Sequence, residues 1–338
     1  MSEAVRNQES YYARARALAR RLLRHESAVL AGILAVLIVV LSVFTRGRFL
    51  AAANVRSILT QASILGLVSI GQMFVILTAG IDLSVGGIAT LCSVIGSGLI
   101  TNDPRVLLFV NSPIPWGVMV PIILLIALSI GAVNGLSVSR LGMPAIIVTL
   151  AIWLITPAVS YQLTQGFQVF QLPRSMAFFG QGSVGGVPVP IFIFVGAAVI
   201  AYLVLHYTTF GRSIYAIGGS PASAWLSGIN TKKILLSVYL ISGFLAGLSG
   251  FVILSRTMVG SIVGGKGLEL NSIAAVCIGG TSLFGGRGTL IGSILGTVII
   301  TVIGSGMNAV KIDPSAQDIV RGAIIFAAVA ADTLRRRR

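Results

Sequence analysis

From Ser27 onward the chain is a succession of apolar runs, each close to the length of one bilayer crossing. Short polar or glycine-rich breaks separate them. The runs are 27–44, 57–79, 83–101, 118–139, 144–164, 187–206, 234–256, 272–284, 288–308 and 317–332. A membrane helix needs about 20 mostly apolar residues, so these runs predict about ten crossings. The eighth is short and glycine-rich. It reads as a broken or half-crossing element, which a bilayer tolerates only where protein or a cavity covers the backbone. Glycine and alanine inside many of the other runs suit close packing of membrane helices. Only 10% of the 338 residues are charged, against about 25% in soluble domains. That is too little polar surface for a water-soluble globule, which excludes a cytosolic enzyme, a secreted disulfide scaffold and a disordered tail. The expected fold class is an all-α polytopic membrane protein.

The net charge of +15 does not point to nucleic acid. The cations form no groove-sized stripe with interleaved aromatics. They gather at the ends and in short loops, as the positive-inside rule predicts. With ten crossings and an inside N-terminus, parity puts the N-terminal arginines, Arg140, the 207–233 loop, Arg287 and the tail Arg335 to Arg338 on the cytoplasmic side. Gln168 and Lys266 fall outside. So do Arg46, Arg48 and Arg56, which fit poorly and suggest an interfacial segment whose arginines reach headgroups. The N-terminus is not a signal peptide: Thr45-Arg46-Gly47-Arg48 separates the first apolar run from Ala51-Ala52-Ala53, which is wrong for a cleavage site. The expected organisation is a basic cytoplasmic segment 1–26, one membrane domain 27–332 and a basic cytoplasmic tail 333–338. Cys92 and Cys277 lie in apolar runs without a CxxC partner and read as packing residues, not as a disulfide or a metal pair.

A weak internal repeat is visible. Gly80-Ile81-Asp82-Leu83-Ser84 opens the third run, and Gly267-Leu268-Glu269-Leu270-Asn271 precedes the eighth. Five crossings, an odd number, lie between them, so the two elements enter from opposite sides. That predicts two inverted-topology five-helix repeats, common in transporters.

Ionisable groups near the membrane centre are costly and usually functional. Asp82 has two readings: a polar site on a transport path, or a helix N-cap, the commoner use. Glu269 poses the same choice, and parity sets it on the opposite face from Asp82. Uncharged polar residues inside runs are better candidates for touching a neutral polar solute. Gln72, Ser84, Asn134 and Asn271 are the leading ones, with Thr78, Thr90, Thr149 and Gln162. Each could equally be an interhelical hydrogen bond, contributing about 0.6 kcal/mol on average.

Enzyme motifs are missing. Gly260 to Lys266 resembles a phosphate-binding loop, but Gly267 stands where Ser or Thr must bind magnesium, and no strand precedes it. His25 and His206 have no partner ligands, and neither HExxH nor GxSxG occurs. No metal site is expected.

The 207–233 loop is the longest polar stretch between runs. Ser220 can cap a short helix 222–226, Pro221 suits its first position and Gly228 can end it. Connectors in compact proteins are typically about 2–8 residues, so this loop looks made to dock another protein.

Three segments carry a resemblance: GQMFVILTAGIDLSVG (71–86), TTFGRSIYAIGGSPASAWLSGI (208–229) and GLELNSIAAVCIGGTSLFGGRGTLIGSILG (267–296). On them the chain resembles the membrane permeases of bacterial ABC importers for simple sugars, the ribose, xylose, arabinose and galactofuranose group, from about Phe49 to Asp332. The resemblance implies that 208–229 is the cytoplasmic coupling segment, with Gly218, Gly219, Ser220, Pro221, Ala222, Ala224, Trp225, Leu226 and Gly228 meeting an ATPase subunit. The chain departs from the family's usual residues at Ser220, Pro221 and Trp225. The resemblance also implies a homodimer in the bacterial inner membrane, two ATP-binding cassettes and a periplasmic or lipid-anchored sugar-binding protein. The chain itself would need no cofactor; ATP and magnesium would sit on the partner. The competing expectation is a stand-alone secondary transporter or facilitator, which would usually need buried carboxylates near its path.

Overall fold

The computed structural model describes residues 26–336 other than 104–105, 107–109 and 111. The basic segment expected over 1–26, apart from Glu26, and Arg337 and Arg338 lie outside the described residues. Each of the ten apolar runs becomes a helix. They are α1 (Glu26–Phe44), α2 (Ala52–Leu77), α3 (Val85–Ile100), α4 (Trp116–Ser139), α5 (Ala145–Thr164), α7 (Val189–Tyr207), α10 (Thr231–Thr257), α11 (Leu268–Ile278), α12 (Leu290–Ala309) and α13 (Pro314–Arg336). A one-turn α6 (Phe178–Gln181) and a two-stranded hairpin, β1 (Ser183–Val184) with β2 (Val187–Pro188), lie in the α5–α7 connection. Seven helices (α1, α2, α4, α5, α7, α10 and α12) are long and apolar enough to cross a membrane. The chain is a nearly all-α polytopic membrane protein.

The centre is built by α2, α3 and α10. α3 has 16 residues, every one buried, so it crosses inside protein and not against lipid. α10 packs against α4, α2 and α3. Small residues set the spacing: a β-carbon on Gly131 of α4 would come within 2.6 Å of the Tyr239 carbonyl, and one on Gly243 of α10 within 2.6 Å of the Ala127 carbonyl. Backbones that close replace side-chain interdigitation, the usual membrane solution. α1, α4, α5 and α7 turn Val, Leu, Ile and Phe outward.

Two backbone breaks organise the core. After the 26 residues of α2, Ala79 turns left-handed (φ 61°) and the chain runs non-helically to α3. After the 27 residues of α10, Met258 does the same (φ 54°) and residues 259–267 lead to α11. The second segment runs back along α3. Gly260 exchanges two 2.9 Å backbone hydrogen bonds with Val169 and packs on Ser97. Gly265 packs on Gly86, and its N–H donates to Thr90 Oγ1 at 3.0 Å. The eighth crossing is therefore an irregular leg plus an 11-residue helix; Gly260 and Gly265 of the leg are buried against the core, whereas Val263, Gly264 and Lys266 are exposed. This moves the expected run 272–284: the helix starts at Leu268 and ends at Ile278. Beyond it, Gly280, Gly285, Gly286 and Gly288 all have positive φ, which a helix cannot continue.

Two further boundaries differ from expectation. The 207–233 loop is mostly helical: α8 (Thr209–Gly219) precedes α9 (Pro221–Leu226). Thr208 caps α8 by accepting from the Gly211 N–H at 3.1 Å. Its buried positions, Gly211, Ile214, Ile217 and Gly218, recur at three and four residues, a one-sided helix too polar to register as an apolar run. At the other end α13 runs through Asp332 to Arg336, so the tail is not separate from the last helix.

Candidate functional site

Four of the six residues expected on a solute path converge at the first break. Asp82 is 1% exposed. Its Oδ1 accepts from the Ser84 N–H (2.9 Å) and the Ser84 hydroxyl, and its Oδ2 accepts from Ser242 Oγ on α10 at 2.7 Å. Asn134 Nδ2 of α4 donates to Ser84 Oγ at 2.9 Å. The Gln72 amide of α2, in the orientation that satisfies both groups, donates to the Asp82 carbonyl (2.9 Å) and accepts from its N–H (3.2 Å). Thr149 Oγ1 of α5 donates to the Ile81 carbonyl at 3.2 Å. Gln72 of α2 and Thr149 of α5 thus take over backbone hydrogen bonds that the broken helix cannot make internally, while α4 and α10 bond the side chains of Ser84 and Asp82. Tyr239 Oη and Asn134 Oδ1 are buried beside this knot without a partner.

Asp82 is not the N-cap of α3. The cap position is Ser84, which makes no capping hydrogen bond, and Asp82 stands two residues earlier. Its carboxylate folds back over Ser84 and reaches across to α10. Glu269 likewise sits inside α11 and not at its cap: Oε1 accepts from the N–H of the capping Gly267 at 3.1 Å. The expectation that Glu269 and Asp82 lie on opposite faces also fails. Glu269 packs on Gly86, four residues beyond Asp82, because the 258–267 leg carries it down α3.

The second candidate is the α8–α9 elbow. Ser220 Oγ accepts from the Ser223 N–H at 3.2 Å, Pro221 opens α9, and Gly228 ends it with φ 82°. Trp225 and Leu226 are 67% and 78% exposed, whereas Ala224 is 3% exposed and so faces its own fold. Gly218 is not a turn residue. It ends α8 pressed against the Leu77 carbonyl and the Gly286 N–H, and that N–H also donates to the Leu77 carbonyl at 3.0 Å. Gly219 has open space around it. Tyr215 donates to the Gly288 carbonyl at 3.0 Å, and burial pushes its hydroxyl above the ordinary tyrosine range. Asp332 of α13 accepts from Ser282 Oγ (3.1 Å) and the Leu283 N–H (3.2 Å). The elbow, the 279–289 turn and α13 therefore meet around one cleft of about 350 Å³.

The family described as the permease component of branched-chain amino acid transport systems matches residues 54–329. The chain belongs to that permease-component family. Among relatives of this permease, the ribose import permease protein RbsC of Haemophilus influenzae is 35% identical over 288 residues, 84% of this chain and 86% of that one. The D-allose transport system permease protein AlsC of Escherichia coli is 34% identical over 304 residues, covering 89% and 90%. The xylose transport system permease protein XylH of Haemophilus influenzae is 29% identical, covering 90% and 95%. No solved structure matches the permease.

Sequence reasoning on the permease missed Ser242, Tyr239 and Tyr215. Ser242 meets Asp82 across 160 residues, and nothing local marks a serine in an apolar helix as the partner of a distant carboxylate. Asn271, expected on the solute path, lines a separate cleft with Arg256 and Lys266.

Proposed function

We propose that this chain is the membrane-spanning subunit of an ATP-driven importer in the bacterial inner membrane. It moves a monosaccharide or similar small polar solute delivered by a binding protein. It works as a homodimer with two ATPase subunits, which carry the ATP and magnesium; the chain holds no catalytic group. The names of its relatives, permeases for ribose, allose and xylose, support the solute class. Two left-handed breaks, each between a long and a short helix, support the inverted five-helix repeat and two alternative packings of the core.

The observation that carries the coupling role is the α8–α9 elbow. It offers Trp225 and Leu226 outward, while Gly218 and Tyr215 tie it to the Leu77 carbonyl and the 279–289 turn. An exposed tryptophan that becomes buried on docking is the kind of anchor that dominates a docking energy. Ala222, Trp225 and Leu226 form the ATPase contact, and Ser220, Pro221 and Gly228 hold their helix in shape. Gln72, Asp82, Ser84 and Asn134 hold the break and shape the wall of the path without touching the solute, since all four are sealed and mutually bonded. Uptake into vesicles with and without internal ATP tests the assignment, with wild type and Trp225→Asp compared in the reconstituted complex. The wild type should be ATP-dependent and the variant inserted but uncoupled. ATP-independent uptake by the purified chain alone would overturn the proposal.

A further inference from the structure

Several cations have no role in the coupling scheme. Two adjoining clefts share Arg256, which sits in the last turn of α10, away from the elbow. One, of about 250 Å³, is lined by Arg256, Lys266 and Arg321, by neutral polar side chains such as Asn271, and by aliphatic ones such as Ile64 and Ile300. The other, of about 290 Å³, adds Arg56. No acidic residue lines either cleft. Arg321 has one counter-charge, Asp318 at 3.0 Å, which is itself mostly exposed. Arg256 has only a 3.4 Å contact to Ser57 Oγ. By crossing parity this is the side that the positive-inside rule keeps poor in cations, so a cluster here needs a reason.

We infer that the clefts hold the phosphate of an anionic bilayer lipid, with Arg256, Lys266 and Arg321 facing the phosphate and the isoleucines facing the first part of its chain. Three cations without a lining carboxylate select an anion. The aliphatic side chains offer nothing to a free phosphate, whereas an amphiphile meets them and the cations together. Guanidinium groups are the side chains best suited to phosphate oxygens, and basic pockets between membrane helices bind lipid headgroups. Lys266 immediately precedes the glycine that caps α11. A lipid held there steadies the 258–267 leg where it enters α11.

Native mass spectrometry of the full-length permease tests this, after extraction from vesicles of equimolar phosphatidylglycerol and phosphatidylcholine. Wild type should retain phosphatidylglycerol preferentially, and each removed cation should weaken that preference about fivefold. Lys266→Gln/Arg321→Gln should therefore bring the two lipids close to parity. Lys311→Gln, a cation at the same end that lines neither cleft, should keep the preference. Millimolar glycerol 1-phosphate should not displace the lipid. Equal retention by wild type, an unchanged preference in the double variant, or an equal loss in Lys311→Gln would overturn the site. Displacement by glycerol phosphate would overturn the lipid as its occupant. Lys266 is exposed, so Lys266→Gln alone gives a reading if the double variant does not fold.

Discussion

Replacing Asp82 separates a structural carboxylate from an ion-coupling one. In Asp82→Ala, three donors lose their acceptor: the Ser84 N–H, the Ser84 hydroxyl and the Ser242 hydroxyl. The two hydroxyls can rotate toward other acceptors, for example a carbonyl one helical turn back. The Ser84 N–H cannot rotate. An orphaned buried donor costs about 1–3 kcal/mol, and poorer replacement bonds from the hydroxyls add to it. The expected loss for Asp82→Ala is therefore about 2–4 kcal/mol. Asp82→Asn keeps an oxygen for both Ser84 donors and presents an NH2 group to Ser242 Oγ, which can accept, so its expected cost is near 1 kcal/mol. Unfolding in detergent gives the stabilities, and the cycle Asp82→Asn, Ser242→Ala and both together gives the pair's coupling, expected within about 0.5–3 kcal/mol. Asp82→Asn should also retain most ATP-dependent uptake. Abolished uptake in a folded Asn variant would refute the reasoning, because only a role for the charge would explain it. Additive effects of the two substitutions would refute the contact.

Tyr239→Phe removes a buried hydroxyl that bonds nothing, so stability in the same assay should hold or rise slightly, unlike Ser242→Ala. Gly228→Val meets no atoms but must adopt φ 82°, costing about 1–2 kcal/mol; Gly228→Asn should restore most of that loss. Ala224→Asp places a charge at a buried position and should lower the permease's own stability and membrane level, whereas Trp225→Asp should leave both intact and lose only copurification with the ATPase. Impermeant labelling of single cysteines in a Cys92→Ala/Cys277→Ala background should mark position 168 from outside intact cells and leave 220 unmarked.

The helices were legible in sequence because each is a long apolar run, and a bilayer demands little else. What escaped depends on pairing between distant segments. The apolar pattern contains no sign that residues 258–267 double back along α3, since that path is decided by Gly260 and Gly265 fitting against Ser97 and Gly86. α8 escaped because its buried face is only a glycine–isoleucine stripe in a polar stretch. At the first break Gln72, Asp82, Ser84 and Asn134 stood out in the sequence as polar residues in apolar runs, but not their grouping: capping is local, and the bond from Asp82 to Ser242 on α10 is not.

At the meeting of α8, the end of α2 and the 279–289 turn, Gly218 and Gly286 touch through peptide groups alone. A side chain caught between two helices can change rotamer and soak up part of a displacement. Peptide planes have no such compliance. The joint therefore behaves as a stiff linkage: a push on the elbow arrives at the Leu77 carbonyl and the 285–286 turn with little damping, and from there at two helices on either side of the core. The same stiffness makes the joint intolerant of added bulk, so a single methyl at position 218 should jam it in both directions of the stroke.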